Sequence, residues 1–404
     1  MRKWSDLLIS NFFGVFNDNF LKNAIIFIAV GWSLPSWLTQ SQLIAIVSAS
    51  LVVPYLLLSP LGGKLAVKYS KLKVFHFFKL IEFPIMALAI LAFSFEWVFL
   101  AVIAVLLMGI QSCLYSPAKY GLIRDIGGVQ GSAFGSGLFE TMAFLGILTG
   151  TVAASLISDH YQGWLLGTFF MLIAAGGYFF AKRIKAQELP PDEASSLKIH
   201  LSPIKFLFDS KQLAKQFPHV NAGVLGVSVF WLIGALLQMN IIIHAKDFYQ
   251  VTNTATGVVM AFAAVGIAVG TWLAGVLASR LSREKLIAWG LSGMILSLLP
   301  VLLLKIDFQL FVVLIFLTTC FGGLFQVPNL TVIQQAEAGR RLGQLLAYMN
   351  LMIFIFVLLA TVIFSGTTYL FNENSLAVFF VIILICLGTL IFSIFVPRFK
   401  RKNS

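Results

Sequence analysis

The chain has 404 residues, 59% of them hydrophobic and 11% charged, with 39 Phe and a formal net charge of +12. Soluble domains carry roughly a quarter charged residues, so the composition excludes a soluble globular protein. Apolar runs of about twenty residues recur along the whole length, each enough to cross roughly 30 Å of hydrocarbon as a helix, and none shows the short alternation of a membrane barrel.

The expected fold is an all-α polytopic membrane protein. In chain order the predicted spans are 7–34, 42–63, 75–95, 97–117, 131–157, 163–181, 218–243, 254–278, 285–304, 308–330, 342–366 and 375–396. Arg2 and Lys3 precede the first run, but that run is too long and too polar at its centre for a cleaved leader, so it is kept as a span. The longest polar stretch divides the twelve spans into two bundles of six, residues 1–181 and 218–404, joined by a linker at 182–217 with Pro190 and Pro191. Its later part, PIKFLFDSKQLAKQF, mixes Phe and Leu with Lys at near-helical spacing, which predicts a helix lying on the membrane interface.

Twelve spans put both termini on one side, and 25 of the 28 Lys and Arg fall on that side, among them Lys64, Lys68, Lys71 and Lys79. The exceptions are Lys22 inside the first span and Lys246 and Lys305 on the far side. This bias predicts cytoplasmic termini, and basic residues beside apolar helices meet anionic headgroups, so the positive charge implies a bilayer and no nucleic acid. Cys113, Cys320 and Cys386 are scattered through apolar segments, as small buried hydrophobes rather than a metal site or a disulfide framework. No cofactor is expected. None of the five His begins a His-x4-Asp acyl-transfer pair, and no filter-like sequence points to a channel.

Charges inside a membrane are costly and face protein or water. At about 100° per residue Asn11, Asp18 and Lys22 share one stripe of the first helix, flanked by Asn19 and Asn23. Asp18 and Lys22 stand four residues apart, which also suits a neutralising pair, but the Asn residues argue for a lined path. Glu140 is alone in GLFETMAFLGIL, and Lys119 and Arg124 lie near the end of the fourth span. Gln238, Asn240, Asn329, Gln334, Gln335 and Asn350 are candidates to line the second half or to bond between helices. Glu82, three residues from Lys79, reads as a structural charge at a helix end.

The halves repeat. GKLAVKYSKLK at 63–73 matches GVLASRLSREK at 275–285, and YSPAKYG at 115–121 aligns its proline with QVPNLTV at 326–332. Pro117 and Pro328 are therefore expected to interrupt helix ends at matching places. The first motif resembles the Gly-x-Leu-Ala-Asp-Arg-x-Gly-Arg-Arg loop of the major facilitator superfamily, through Gly63, Leu65, Ala66, Lys68, Lys71 and Lys73, with Gly275 and Arg280 as its echo. Val67 replaces the family's Asp and Ser70 its second Gly. The resemblance implies two six-helix bundles, a central cavity, alternating access and a monomer. FNDNFLKNA, YSPAKYGLIRDI, GLFE and SVFW resemble the lysophospholipid transporter family more narrowly, with Lys22 and Asn23 closer to its versions fused to an acyltransferase. That resemblance implies an inner-membrane carrier of lysophosphatidylethanolamine working with a cytoplasmic acyltransferase. It places the family's acid of helix 1 on Asp18, its Lys of helix 4 on Lys119 and its Glu of helix 5 on Glu140, while the basic residue of helix 7 falls on Gln238. Another amphipathic solute, such as a drug, siderophore or peptidoglycan fragment, is the alternative cargo.

Overall fold

The computed structural model describes residues 3–29, 32–36, 38–159, 163–190, 199–372 and 374–401. Arg2, Pro191, Lys198 and Lys402, which the charge and linker readings include, lie outside the described residues. The helices in chain order are α1 (Ser5–Ile28), α2 (Gln40–Lys68), α3 (Lys71–Ser94), α4 (Val98–Asp159), α5 (Gly163–Arg183), α6 (Pro203–Lys215), α7 (Val220–Asp247), α8 (Asn253–Leu277), α9 (Arg283–Leu303), α10 (Phe308–Gln335), α11 (Leu342–Leu370) and α12 (Ser375–Arg401).

As one straight helix the 62 residues of α4 would rise about 90 Å, far more than one bilayer crossing needs. Its helical backbone breaks at Gly128 alone, where φ is 65° and ψ is −175°, a conformation open to glycine. Each limb, 98–127 and 129–159, is long enough to span. The sequence predicts a connection over 118–130; the chain instead stays helical up to a one-residue break. With α4 counted twice and the polar α1 included, the spans among the described residues number the predicted twelve, and α6 is the predicted helix of the linker.

The repeat has a local structural cause. Ser70 accepts from the Lys73 backbone N–H at 3.2 Å and so caps α3. Its counterpart Ser282 accepts from Lys285 N–H at 3.4 Å and caps α9. Thr39 and Thr252 cap α2 and α8 in the same way, each filling an orphan donor of a first turn.

Pro117 and Pro328 do not end their helices; both are buried within α4 and α10. A helical proline leaves the carbonyl four residues earlier without its bond, and neighbouring helices must accommodate it. Pro117 frees the Cys113 carbonyl, and a Cβ on Gly62 of α2 would stand 2.9 Å from that oxygen. Reciprocally, Pro54 of α2 frees the Ser50 carbonyl, and a Cβ on Gly109 of α4 would stand 2.5 Å from it. Each freed carbonyl thus faces a glycine of the partner helix, which lets α2 and α4 pack closely.

The chain forms two compact units. One comprises Met1–Val129, Leu145–Pro218 and Ala336–Leu351; the other comprises Gln130–Phe144, His219–Gln335 and Met352–Ser404. The first has an aromatic and aliphatic core from α1, α3, α4 and α5, with Phe20 and Phe170 at 5.1 Å between ring centroids. In the second, α10 is buried along most of its length, and Thr318 meets Ser297 of α9 at 2.8 Å. Each unit also holds a short segment from the other sequence half. In the first, Gly63 of α2 crosses α11, a Cβ on Gly63 coming 2.8 Å from Cβ of Ala347. In the second, its repeat counterpart Gly275 of α8 crosses the second limb of α4, where a Cβ on Gly137 would stand 2.8 Å from Cα of Gly275.

Candidate functional site

The polar face of α1 is distributed over several neighbours. Asn17 is fully buried and donates through Nδ2 to Glu82 Oε1 of α3 at 2.6 Å. Asp18, half-buried, accepts through Oδ2 from Ser112 Oγ of α4 at 2.8 Å. Asn23 donates to Thr151 Oγ1 in the second limb of α4 at 2.9 Å. Asn19 donates to its own helix at Val15 O, and Lys22 Nζ reaches Asn19 Oδ1 at 3.5 Å. Asn11 is buried on the same stripe. The i, i+4 partners Asp18 and Lys22 make no ion pair among the described residues, although they lie within electrostatic reach of each other.

Beside this face lies a pair that the sequence reading misplaces. Lys79, counted there as a loop charge, is fully buried in α3, and its Nζ stands 2.6 Å from Glu82 Oε2, itself 1% exposed. Glu82 is therefore not a charge at a helix end. Its two oxygens are divided between Asn17 and Lys79, so one carboxylate ties α1 to α3. The ammonium occupies space left by two glycines: a Cβ would meet Lys79 Nζ at 3.1 Å from Gly14 of α1 and at 2.8 Å from Gly177 of α5. Two charges three residues apart within an apolar run are a signal for such a pair, since burial is tolerated only where charges neutralise each other. Asp18 lies within electrostatic reach of Glu82, Lys79 and Lys119. Lys119, half-buried, holds its ammonium 5.2 Å from the centre of the Tyr115 ring. Asp18, Asn19, Lys22 and Lys119 thus gather in the first unit with Lys79 and Glu82, which the sequence places at a helix end, and with Ser112, which it does not single out.

The other candidates stand elsewhere. Glu140, 2% exposed, accepts from Gln326 Nε2 of α10 at 3.1 Å within the second unit, beside the contact of Thr141 with Thr271 of α8 at 3.0 Å. Gln238 is exposed on α7. Asn240, two residues on, is buried and donates to Ser375 O of α12 at 3.0 Å. Asn350 is buried and donates to Ser116 Oγ of α4 at 2.9 Å. Asn329 donates to Phe325 O of its own helix at 2.8 Å, and Gln334 is buried.

In the loop motif, Lys68 and Arg280 are exposed, whereas Lys71 is 3% exposed and pairs with Asp125 at 2.5 Å. An acid from the linker reaches this loop. Glu188 accepts from the backbone N–H of Lys71 at 2.6 Å and of Leu72 at 2.9 Å, and from Ser70 Oγ at 2.9 Å. A carboxylate on the first turn of α3 satisfies orphan donors and opposes the positive end of the helix dipole. Arg340, ahead of α11, stands 3.5 Å from Glu188 and donates to Tyr69 O at 2.5 Å. Arg124 donates to Ala336 O. Basic residues that would be solvated loop charges are therefore consumed in joining α2, α3, α4 and the segment 336–351.

Two half-buried cations and a carboxylate in paired helical bundles, with glycine crossings repeated at the same register, suit a carrier. Curated relatives agree over most of their length. The "Lysophospholipid transporter LplT" of Photorhabdus laumondii is 27% identical over 361 residues, covering 85% of this chain and 83% of that protein. Its namesake in Pectobacterium carotovorum is 26% identical over 360 residues, covering 87% and 83%. Among solved structures, the Escherichia coli fucose:proton symporter FucP superposes with a TM-score of 0.73 at 16% identity, covering 96% of this chain and 97% of the symporter. The human organic anion transporter MFSD10 does so with a TM-score of 0.74 at 12% identity, covering 96% and 99%. The pattern of the Major Facilitator Superfamily matches residues 7–361 and again 225–404. With helices, repeat and sequence pattern in agreement, the chain belongs to the Major Facilitator Superfamily.

Proposed function

We propose that the chain is a secondary transporter, not an enzyme, that moves lysophospholipid across the bacterial inner membrane to the cytoplasmic leaflet for reacylation by a cytoplasmic acyltransferase. The observation that carries this reading is the charge pattern of the first unit. Asp18, Lys22 and Lys119 remain half-buried within spans, while the neighbouring Lys79 and Glu82 are fully buried against each other. A lysolipid brings a phosphate and often an amine on one acyl chain. Lys119 and Lys22 suit the phosphate, Asp18 suits the amine, and the Phe side chains of α1 suit the tail. Asn11 and Asn19 continue this polar face within the first unit, where Asn350 also bonds Ser116, while Glu140 and Gln238 serve as polar groups of the second unit. The names of the curated relatives support the same cargo. The basic bias of the sequence supports cytoplasmic termini. The chain acts as a monomer of two bundles, 1–181 and 218–404, with 182–217 as linker. The loop motifs at Gly63, Lys68 and Lys71 and at Gly275 and Arg280 are its hinges, and the contacts made by Ala336–Leu351 and Gln130–Phe144 break and re-form in alternating access.

Thermal unfolding of the purified protein with added lipid tests the cargo. Lysophosphatidylethanolamine is expected to raise the midpoint through selective binding to the folded state, and Asp18→Asn with Lys119→Gln to abolish the rise. An equal rise from a neutral detergent of the same chain length would refute headgroup recognition.

A further inference from the structure

The helix α6, in the linker, has two faces of different purpose. Phe206, Ser210, Leu213 and Ala214 are buried. At about 100° per residue, Ile204, Phe208, Lys211 and Lys215 fall within about 60° of one another on roughly the opposite side. Ile204 is 69% exposed and Phe208 62%, and both lysines are exposed. The acidic residue of the helix, Asp209, lies off this stripe and faces His200 at 3.8 Å. Large apolar side chains do not stand beside two cations in water without cause. A helix of 13 residues is too short to span, and it starts twenty residues after α5 ends and finishes five before α7 begins, which holds it at one face of the membrane. Apolar residues that enter the acyl boundary and lysines that meet headgroups complement an anionic bilayer surface.

The buried face reaches the helix that crosses between the sequence halves. Ser210 Oγ accepts from Gln344 Nε2 of α11 at 3.1 Å, and both groups are buried. Gln344 lies one residue from Gly343, where a Cβ would stand 2.8 Å from Cβ of Ala66 in α2. Whatever holds α6 therefore also holds the start of α11 against α2.

We propose that α6 is a sensor of anionic phospholipid: its face of Ile204, Phe208, Lys211 and Lys215 binds the headgroup layer, and the Ser210–Gln344 bond passes that binding to segment 336–351. The inference requires a membrane but no particular cargo. Its test uses the full chain with Cys113, Cys320 and Cys386 replaced by Ala and an environment-sensitive label on Phe208→Cys, in vesicles of phosphatidylcholine with or without phosphatidylglycerol. Phosphatidylglycerol is expected to shield the label from an aqueous quencher and to slow hydrogen exchange in 336–351. Lys211→Gln with Lys215→Gln removes about 30-fold of the preference for the anionic surface, at roughly fivefold per basic residue. Ser210→Ala keeps the shielding and loses the effect on exchange. Ile204→Cys reads the same surface from a second position. Equal exposure of both labels in the two vesicles would overturn the proposal. So would shielding that follows protein density rather than lipid, which would make the occupant a second copy, and so would exchange in 336–351 that ignores the lipid.

Discussion

The single carboxylate of Glu82 bonds Asn17 on one oxygen and Lys79 on the other, and both charges are within 1% of complete burial. Removing one partner of such a pair strands the other charge and costs about 3–5 kcal/mol. Lys79→Met is therefore expected to lower the unfolding midpoint sharply. Lys79→Met combined with Glu82→Gln is expected to recover most of it, because the amide oxygen that the second substitution leaves in place still accepts from Asn17. Unfolding of the two variants in detergent checks this, and a double variant no better than the single would deny the pairing. The stripe of Asn11, Asp18 and Lys22 was legible because the cost of intramembrane charge leaves few readings. The role of Asn17 was not, since it lies off that stripe and its partner is 65 positions away. Lys79 was misread because a count of basic residues by side treats every Lys near a span end as solvated, and here two glycines make room for it inside.

At the scale of the helix, close packing rests on glycines facing proline-freed carbonyls. Gly109→Ala places a Cβ 2.5 Å from Ser50 O, and Gly62→Ala one 2.9 Å from Cys113 O. Both force α2 and α4 apart, and overpacking of this kind costs typically about 1–3 kcal/mol. Replacing Pro54 by Ala is expected to ease the Gly109→Ala defect, since the Ser50 carbonyl then turns back into its own helix; thermal unfolding of single and double variants measures the relief. Gly128→Ala is expected to cost about 1–3 kcal/mol for a different reason, the combination of positive φ and extended ψ that an L side chain resists. The twelve spans were legible from hydropathy, and the matched serines of the repeat turned out to be matched caps. The one-residue break at Gly128 was not legible. A stretch with charges and glycines reads as a loop, and only backbone geometry shows that helix continues to both sides of it.

For the whole molecule, Gly63 with Ala347 and Gly137 with Gly275 bring segments of opposite sequence halves together within each unit. Alternating access requires such contacts to part. A disulfide across Gly63→Cys and Ala347→Cys, whose Cβ atoms need only relax from 2.8 Å to about 3.8 Å, is expected to form on oxidation, stop transport, and release it on reduction. The repeat made the two bundles legible, but the crossing of 336–351 and 130–144 was not, because it depends on which helix ends meet rather than on periodicity. The same limit hid Glu188, which reaches the loop motif from the linker. The central claim is that the half-buried charges of α1 carry a lysolipid headgroup. Its most direct test is uptake of labelled lysophosphatidylethanolamine by liposomes containing the full chain, wild type beside Asp18→Asn. The expected result is uptake above empty liposomes that falls at least about tenfold in the variant, for loss of one charge-assisted bond to the headgroup. Wild-type uptake that Asp18→Asn leaves unchanged, with both proteins folded, would contradict it.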